Sequence, residues 1–515
     1  MQMPLGSSAG VGAQAWVAQA RTLLTGGDIA GAWAVCSEAA GRARRRGDGT
    51  ALAEIALVIR APADLGIRAC VHALACEALP LLGVDEDALR ARLLAQVAAT
   101  RDPFYGAVDE FGELQSETSE TTLLDLQAAV GRLQNPRHVE SRLLLARRAV
   151  ALGRAAADLE LEAWGRRWRM DALAELGRRA DLADELRLVS PLADALGPEW
   201  RSWVLLVRAS TRLLEGRFAD TSHLLDTALA VGGASGLAGY FDLVFRSEIA
   251  RTTGVGLDGV AVRVREAVDG LPYLAKGWLA LVLGTAGKRE ESEELWRAIR
   301  PHVGRVPHDA PELLPASAGH AELCRWFDDE EVASAVYDQL VDYDGLHVIG
   351  LAHGPYGGPV SLTLGRLALV VGRPDDARHH LEAALAQSQA VQAAGFTATA
   401  HAELARSFSP STRGRSEHAR AALSAAQRLG MHPLTDAVAP LAAGVALSFP
   451  GLTPREWEVA LLVADGLTNA QIAQRLVLSL RTVENHISHL LHKRGLSTRT
   501  ALAVWAKASG PTKDK

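Results

Sequence analysis

Cysteine is scarce in this sequence, which contains four such residues among 515. Cys36, Cys70, Cys76 and Cys324 form no CxxC pair, and the six-residue spacing of Cys70 and Cys76 fits neither a zinc site nor a redox dithiol. We therefore expect buried free thiols and no cysteine-based metal centre.

Long apolar runs are missing as well. No stretch of 18 apolar residues occurs, and the most apolar window, 274–283, is interrupted by Lys276. The first residues show no basic start followed by an apolar run, so no signal peptide is predicted. These absences predict a cytoplasmic protein that does not contact a membrane.

Strand patterns and nucleotide-binding motifs are also lacking. Sustained alternation of Val, Ile and Thr is scarce, whereas Ala, Leu, Arg and Glu recur at three- and four-residue spacing, which predicts an all-α fold. No GxxxxGK[ST] sequence is found, and 284–288 lacks both the spacing and the hydroxyl. His379-His380 and the acidic run 328–331 fall on repeat turns and helix starts, where a solvated face explains them. We therefore predict no catalytic site, no cofactor and no metal, and thus not an enzyme.

A short phrase of glycine, acidic residues and alanine recurs along the chain. Copies begin at Gly27, Gly177, Gly216, Gly287 and Gly372, and 327–336 is a variant without glycine. Glycine would end one helix in a left-handed conformation, and the acidic residue would favour the start of the next. Residues 1–440 are therefore predicted to form a solenoid of stacked, tetratricopeptide-like helix pairs, with an irregular bundle of helical hairpins as the alternative. The glycine-dense segment 353–359 is interpreted as a tight connection between repeats.

Charge is distributed unevenly. The formal net charge is −6, but 450–515 holds 9 Lys+Arg against 5 Asp+Glu, a net of +4, which leaves −10 on 1–449. A small basic end on a large acidic body favours a partner at that end.

The C-terminal part carries the most specific local signals. A small-residue linker, 441–451, precedes a predicted domain at 452–509, and a short tail covers 510–515. Thr453-Pro-Arg-Glu456 and Thr468-Asn-Ala-Gln471 are capping boxes that open two helices. A third helix begins at Ser479 or Arg481 and ends at Gly495, and a fourth, 498–509, is capped by Ser497. Two short helices joined by a tight turn, with a polar outer face on the second, predict a helix-turn-helix, and a small protein-interaction domain is the alternative.

This segment resembles the LuxR-type helix-turn-helix. The similar residues are Leu452-Thr-Pro-Arg-Glu456, Ala464-Asp-Gly-Leu-Thr-Asn469, Ile472-Ala473, Thr482-Val-Glu-Asn-His486 and Gly495-Leu-Ser-Thr-Arg-Thr-Ala-Leu502. The resemblance implies a four-helix domain that binds double-stranded DNA as a homodimer, with the last helix, including Leu502 and Trp505, as the dimer contact.

The resemblance also implies the residues that meet DNA. Glu484, Asn485 and Ser488 would face base edges, and His489 lies on the same polar face. Phosphate contacts would come from Arg481, Thr482, Lys493 and the amides near Thr468 and Asn469.

The body resembles the tetratricopeptide-like region of large ATP-binding LuxR regulators, without their ATPase domain. We therefore predict a transcriptional regulator whose repeats sense an unknown peptide, protein or small molecule, with RNA polymerase as a further candidate partner. The alternative is an interaction scaffold whose tail does not bind DNA strongly. The sequence leaves open the effector, the regulon, activation or repression, and whether the body dimerises or inhibits its own tail.

Overall fold

The structure is a computed structural model that describes fourteen stretches of the chain. They are 9–25, 28–59, 65–83, 85–100, 123–133, 135–233, 237–268, 275–308, 310, 312–350, 353–409, 412–442, 452–476 and 478–509. Nearly all of these residues are helical, which confirms the all-α prediction. Within these stretches, no helix combines the length and the apolar character needed to cross a membrane.

The first half of the body consists of consecutive helices, and positions 101–122, between the fifth and the sixth, lie outside the described residues. They are α1 Ala9–Thr25, α2 Ile29–Arg46, α3 Gly49–Ala56, α4 Leu65–Ala78, α5 Asp87–Thr100, α6 Leu123–Arg132, α7 Val139–Ala156, α8 Leu159–Glu175, α9 Arg179–Leu196, α10 Pro198–Leu214 and α11 Phe218–Gly232. Sequential neighbours pack against each other, as in α1–α2, α7–α8 and α10–α11.

The second half continues the same pattern and adds one hairpin of strands. Its elements are α12 Leu237–Thr253, α13 Leu257–Val268, α14 Lys276–Thr285, α15 Arg289–Ile299, α16 Leu313–Phe327, α17 Glu330–Leu340, β1 His347–Ile349, β2 Tyr356–Pro359, α18 Val360–Val370, α19 Pro374–Ala390, α20 Ala394–Ser407, α21 Arg413–Leu429 and α22 His432–Ala442. The predicted body therefore extends two residues past 440. Positions 443–451 of the predicted linker and the tail 510–515 lie outside the described residues.

The recurring glycines end helices, as the sequence analysis predicts. Gly177, Gly216, Gly287 and Gly372 all adopt positive φ angles, between 66° and 79°, and each precedes the next helix by one or two residues. In the variant without glycine, Asp328 takes the left-handed conformation (φ 50°) between α16 and α17. The phrase thus marks the turn within a helix pair. Gly27 lies outside the described residues.

Glycine also permits a close approach of two helices in the body, α7 and α8. A Cβ atom on Gly153 of α7 would lie 2.4 Å from the backbone nitrogen of Glu162 in α8, and one on Gly165 would lie 2.7 Å from the nitrogen of Val150. Because real Cβ atoms do not approach backbone so closely, α7 and α8 pack tightly only while both positions lack side chains.

The buried core follows the helix pairs as a series of adjoining clusters. The most extensive cluster runs from α14 to α19 and includes Trp296 (1 % exposed), Leu323 and Leu364. A second, between α8 and α12, surrounds Trp203 and Phe245. Cys36 and Cys324 lie in such clusters, whereas Cys76 is half-buried and Cys70 is exposed, so the expectation of burial is right for two of the four free thiols.

The glycine-dense segment differs from its interpretation as a simple connection between repeats. β1 and β2 form an antiparallel hairpin in which His347 pairs with Pro359, Val348 with Gly358 and Ile349 with Tyr356, with a bulge after Val348. The strands were not predicted because a three-residue and a four-residue strand carry too little alternation to detect.

The hairpin lies between parts of the body that are distant in sequence. β1 packs against α8 and α16, and β2 packs against α10 and α19. Ser210 of α10 donates a hydrogen bond to the carbonyl of Gly354 (3.0 Å), and His353 lies 3.2 Å from Asp171 of α8. Helices α10 and α12 also contact α20 and α22, respectively. The middle of the solenoid therefore closes on itself.

Candidate nucleic-acid interface

The C-terminal domain begins with a capped helix. It comprises α23 Pro454–Ala464, α24 Asn469–Leu476, α25 Leu480–Arg494 and α26 Arg499–Ser509. The amide of Thr453 donates to Glu456 Oε2 (2.8 Å), and the amide of Glu456 donates to Thr453 Oγ1 (3.2 Å). This is the predicted capping box, and it satisfies two amides that a helix start otherwise leaves without partners.

A second reciprocal pair opens α24. The amide of Thr468 donates to Gln471 Oε1 (2.8 Å), and the amide of Gln471 lies 3.3 Å from Thr468 Oγ1, to which it donates. Ile472 and Leu476 of α24 are buried in the domain core. The second predicted capping box is therefore confirmed. It also uses the Thr468 amide internally, so that amide is not free for a phosphate.

A three-residue turn connects α24 to α25. Ser479 caps α25 by accepting a hydrogen bond from the amide of Thr482 (3.1 Å), and the two hydroxyl oxygens lie 2.7 Å apart. Gly495 ends α25 in the left-handed conformation (φ 64°). Helices α24 and α25 are thus the two helices of a helix-turn-helix, and α25 is its second helix.

The outer face of α25 is polar and exposed. Its inner face buries Val483, Ile487 and Leu490. The outer residues recur at three- and four-residue spacing and, among the described residues, their side chains form no hydrogen bond or ion pair. They are Arg481, Glu484, Asn485, Ser488 and His489. These five predicted contact residues therefore form one exposed stripe along α25 that is available to a ligand.

Lys493, predicted to contact phosphate, has a partner inside the domain. Its ammonium group donates to both carboxylate oxygens of Glu456, at 2.7 and 2.8 Å. Glu456 is 5 % exposed, so the pair joins the last turn of α25 to the capping box of α23. Lys493 thus stabilises the domain. The sequence analysis missed this pair, because the two residues are 37 positions apart.

The Lys493 ammonium group and the Thr453 amide lower the pKa of the Glu456 carboxyl to about 2. Because the folded pKa lies below the ordinary value of 4.5, the pair stabilises the domain above pH 4.5. This contribution is lost as the pH falls from 4.5 through about 2.

Glu456→Gln is expected to lower the free energy of local opening of α23 by about 1–3 kcal/mol at pH 7, because it removes charge-assisted hydrogen bonds from a buried group. Hydrogen exchange of α23 in the full chain, corrected for the intrinsic rate at each pH, measures this. The difference between wild type and variant should shrink on acidification. Glu484→Gln, at an exposed position without a hydrogen bond among the described residues, is the control. Equal protection in Glu456→Gln and wild type would contradict the assignment.

Asn469 is likewise held by a residue of the last helix. Its side-chain oxygen accepts a hydrogen bond from Arg499 Nη1 (2.7 Å), and the same guanidinium donates to the carbonyl oxygen of Leu467. The start of α24 is therefore fixed to α26. The amide nitrogen of the Asn469 side chain remains the donor that this residue can offer to a ligand.

The structure of the last helix corrects two predictions, that Leu502 is a dimer contact and that Ser497 caps the helix. Leu502 is 0 % exposed and belongs to the core of its own domain, so it cannot be a surface dimer contact in this fold. Trp505 is half-buried and packs edge-on against Trp457, with ring centroids 5.5 Å apart.

Thr498, rather than Ser497, caps α26, since its Oγ1 accepts from the amide of Ala501 (3.1 Å).

The structure also reveals surface residues that the sequence analysis did not select. Val504 of α26 is 64 % exposed, which is unusual for a large apolar residue in a folded domain. Arg475 is exposed in the last turn of α24, directly before the turn that leads to α25. The sequence could have indicated Arg475, because a basic residue stands there just before the predicted turn. Nothing in the helical pattern distinguished Val504 from its buried neighbours.

Comparison with known proteins identifies the domain. The family described as bacterial regulatory proteins, luxR family, matches residues 450–506. The chain is 43 % identical over 61 residues to the transcriptional regulatory protein LiaR of Bacillus subtilis, covering 12 % of this chain and 29 % of LiaR. It is 46 % identical over 67 residues to the DNA-binding transcriptional activator DevR/DosR of Mycobacterium tuberculosis, covering 12 % and 31 %. It is also 46 % identical over 54 residues to the nitrate/nitrite response regulator NarL of Escherichia coli K12, covering 10 % and 25 %.

The chain thus spans less than a third of the length of each of these relatives, and the similarity is confined to the C-terminal domain. That domain is a LuxR-family helix-turn-helix, the domain of DNA-binding regulators. Among solved structures, yeast Tom70 matches 84 % of this chain and 88 % of its own, at 13 % identity and a TM-score of 0.29.

Proposed function

We propose that the protein is a transcriptional regulator that binds promoter DNA through the outer face of α25. The observation that carries this proposal is the stripe of exposed polar side chains on the second helix of a LuxR-family helix-turn-helix. In such motifs the second helix enters the major groove, where donors and acceptors on base edges differ for each base pair.

The chemistry of the stripe suggests a role for each side chain. Asn485 can form paired hydrogen bonds with adenine, Glu484 can accept from cytosine, and Ser488 and His489 can donate or accept. Arg481 and Thr482, at the start of α25, are placed to contact the phosphates that flank the groove, and Arg475 is a further cation beside them.

Dimerisation would double these contacts. Each domain offers few cations for phosphate, because Lys493 and Arg499 have partners inside the domain. A single copy would therefore bind weakly. The exposed Val504 on α26 is the apolar surface that we assign to the contact between two copies, in place of Leu502. The helical body would bind an effector and change the pairing of the two domains.

Fluorescence anisotropy of the full chain with its own upstream DNA tests the proposal. The logarithm of the binding constant should fall linearly with the logarithm of salt concentration, with a slope of about −5 if ~6 phosphates are neutralised per dimer. A scrambled duplex of equal length is the control and should bind at least about 100-fold more weakly at ~150 mM salt. Weak binding that is insensitive to both salt and sequence would favour the interaction scaffold instead.

A further inference from the structure

A cavity of about 830 Å³ lies where the solenoid closes on itself. Its walls come from α10, α11, α12, α14, α15, α16, α18, α20, α22 and the β-hairpin, so it is formed by segments as distant as Leu213 and Ala437. Cavities of this size are typical of sites for small organic ligands.

Much of the cavity wall is aromatic. Phe241, Trp278, Trp326, Tyr356 and Phe396 line it from five different elements. The Tyr356 and Phe396 rings are in edge-to-face contact, with centroids 5.0 Å apart. Rings presented from several sides favour a flat, apolar ligand, because such a ligand can stack on them and bury its surface.

A buried cluster of charges lies on the same wall. Glu403 of α20 is 1 % exposed and faces three arginines. Arg406 Nη1 lies 3.0 Å from its Oε2, Arg366 Nε lies 3.2 Å from its Oε1, and Arg325 Nε lies 4.0 Å away. Burial by itself raises the pKa of the Glu403 carboxyl, but the three guanidinium groups outweigh it and lower the pKa to about 2. One carboxylate thus faces three guanidinium groups, which leaves an excess of positive charge in this cluster.

A second carboxylate, that of Glu322, offsets part of this excess: burial raises its pKa, but Arg251, Arg366 and Arg325 outweigh burial and lower it. Arg251 of α12 donates to Glu322 (2.9 Å) and to Glu248 (3.1 Å). The ionisable side chains that line the cavity, His320 apart, are five arginines and four glutamates, a formal net charge of +1. Burial lowers the pKa of His320 to about 4 and raises that of Glu312 to about 7, so at pH 7 the histidine adds no charge and the net charge is not below +1.

Two arginines on the wall have unused hydrogen-bond donors. Among the described residues, Nε of Arg251 and Nε of Arg325 are buried and make no hydrogen bond. Arg325 is the less constrained of the two, because its ion pair to Glu403 spans 4.0 Å and 28 % of its side chain is exposed. The Nε atoms themselves have almost no accessible surface, so a ligand would reach Arg325 through the exposed part of its side chain, where a charge-assisted hydrogen bond gains affinity.

We propose that this cavity binds a small aromatic organic anion, with its ring system against the aromatic wall and its negative group at Arg325. The proposal rests on the proposed regulatory function, since it selects the small molecule among the effectors left open above. A neutral aromatic compound fits the wall but offers the Arg325 guanidinium group no charge-assisted hydrogen bond.

Two fluorescent probes with the same ring skeleton test the charge requirement in the full chain. We expect 1-anilinonaphthalene-8-sulfonate, an anion, to bind at least about tenfold more tightly than neutral N-phenyl-1-naphthylamine. Arg325→Gln should weaken the anion about tenfold and leave the neutral probe unchanged. Arg366 and Arg406 still balance Glu403 in this variant, so the fold should persist. Equal affinities of the two probes for wild type, or no effect of Arg325→Gln, would overturn the proposal.

A matched pair of substitutions on α20 tests the location. Thr399 lines the cavity and Thr397 does not, although both are half-buried and donate their hydroxyl to the carbonyl four residues earlier. Thr399→Trp should narrow the cavity and weaken binding of both probes, whereas Thr397→Trp should not. Probe affinities that Thr399→Trp leaves unchanged would refute the site. Because no DNA is present, failure here is distinguishable from failure of DNA binding.

Discussion

Simultaneous replacement of Arg481, Asn485 and Ser488 by alanine is expected to reduce affinity for the cognate DNA at least about 100-fold. The triple variant removes one phosphate contact and two base contacts per domain, and each good base contact contributes ~1–3 kcal/mol. None of the three side chains is buried, so the domain should remain folded. Gel-shift titration of the full chain with its own upstream region measures the loss.

The chain offers a matched control for this variant. Arg420, Ser424 and Gln427 are exposed on α21 of the body, with the same two spacings between them and a comparable loss of one charge and two polar groups. Alanine at these three positions should leave DNA affinity within about twofold. Full binding by the α25 variant would show that DNA is contacted by another surface.

Arg166→Met is expected to destabilise the body by about 3 kcal/mol, because it removes the buried cation that the carboxylates of Glu162 and Glu185 share. The guanidinium of Arg166, 2 % exposed, donates to Glu162 (2.6 Å) and to Glu185 (2.8 Å), and so ties α8 to α9. Arg169 also approaches Glu185 (2.9 Å) and Arg154 donates to Glu162 (3.0 Å), but both arginines are more exposed than Arg166. Urea unfolding followed by circular dichroism gives the change in the free energy of unfolding.

Arg187→Met is the control, since that arginine is 76 % exposed and pairs only with a neighbouring exposed aspartate among the described residues. Its effect should stay below about 0.5 kcal/mol. Adding Glu162→Gln and Glu185→Gln to Arg166→Met should recover part of the loss, because no buried carboxylate charge then remains at these two positions. Equal stability of Arg166→Met and wild type would mean that the buried cluster contributes nothing.

The features that sequence reasoning predicted are those encoded within a few residues. Gly177 and Gly287 end helices because only a residue without a side chain adopts the left-handed conformation cheaply. Thr453 and Glu456 form a capping box because their spacing places each side chain beside the other's amide. The order and limits of most helices in the C-terminal domain follow from such local rules.

The features that were missed depend on contacts between distant segments. Glu456 forms an ion pair with Lys493, which lies 37 positions away in the sequence, and Arg251 forms one with Glu322, 71 positions away. Helical periodicity predicts that Leu502 faces an apolar environment, but it cannot distinguish the core of one domain from an interface between two. The cavity was not predictable for the same reason, since its wall is assembled from nine helices and a hairpin.

The closure of the solenoid changes how the body should lose its structure. In an open array each repeat touches only its neighbours, so the array frays from its ends and its stability is a sum of local steps. Here Arg179 of α9 donates to the carbonyl of Val391 (2.6 Å), 212 positions away, and Ser210 reaches Gly354. A helix that lies between these bonded residues cannot unwind without weakening the Arg179–Val391 and Ser210–Gly354 hydrogen bonds. The middle of the chain should therefore unfold as one cooperative unit rather than repeat by repeat.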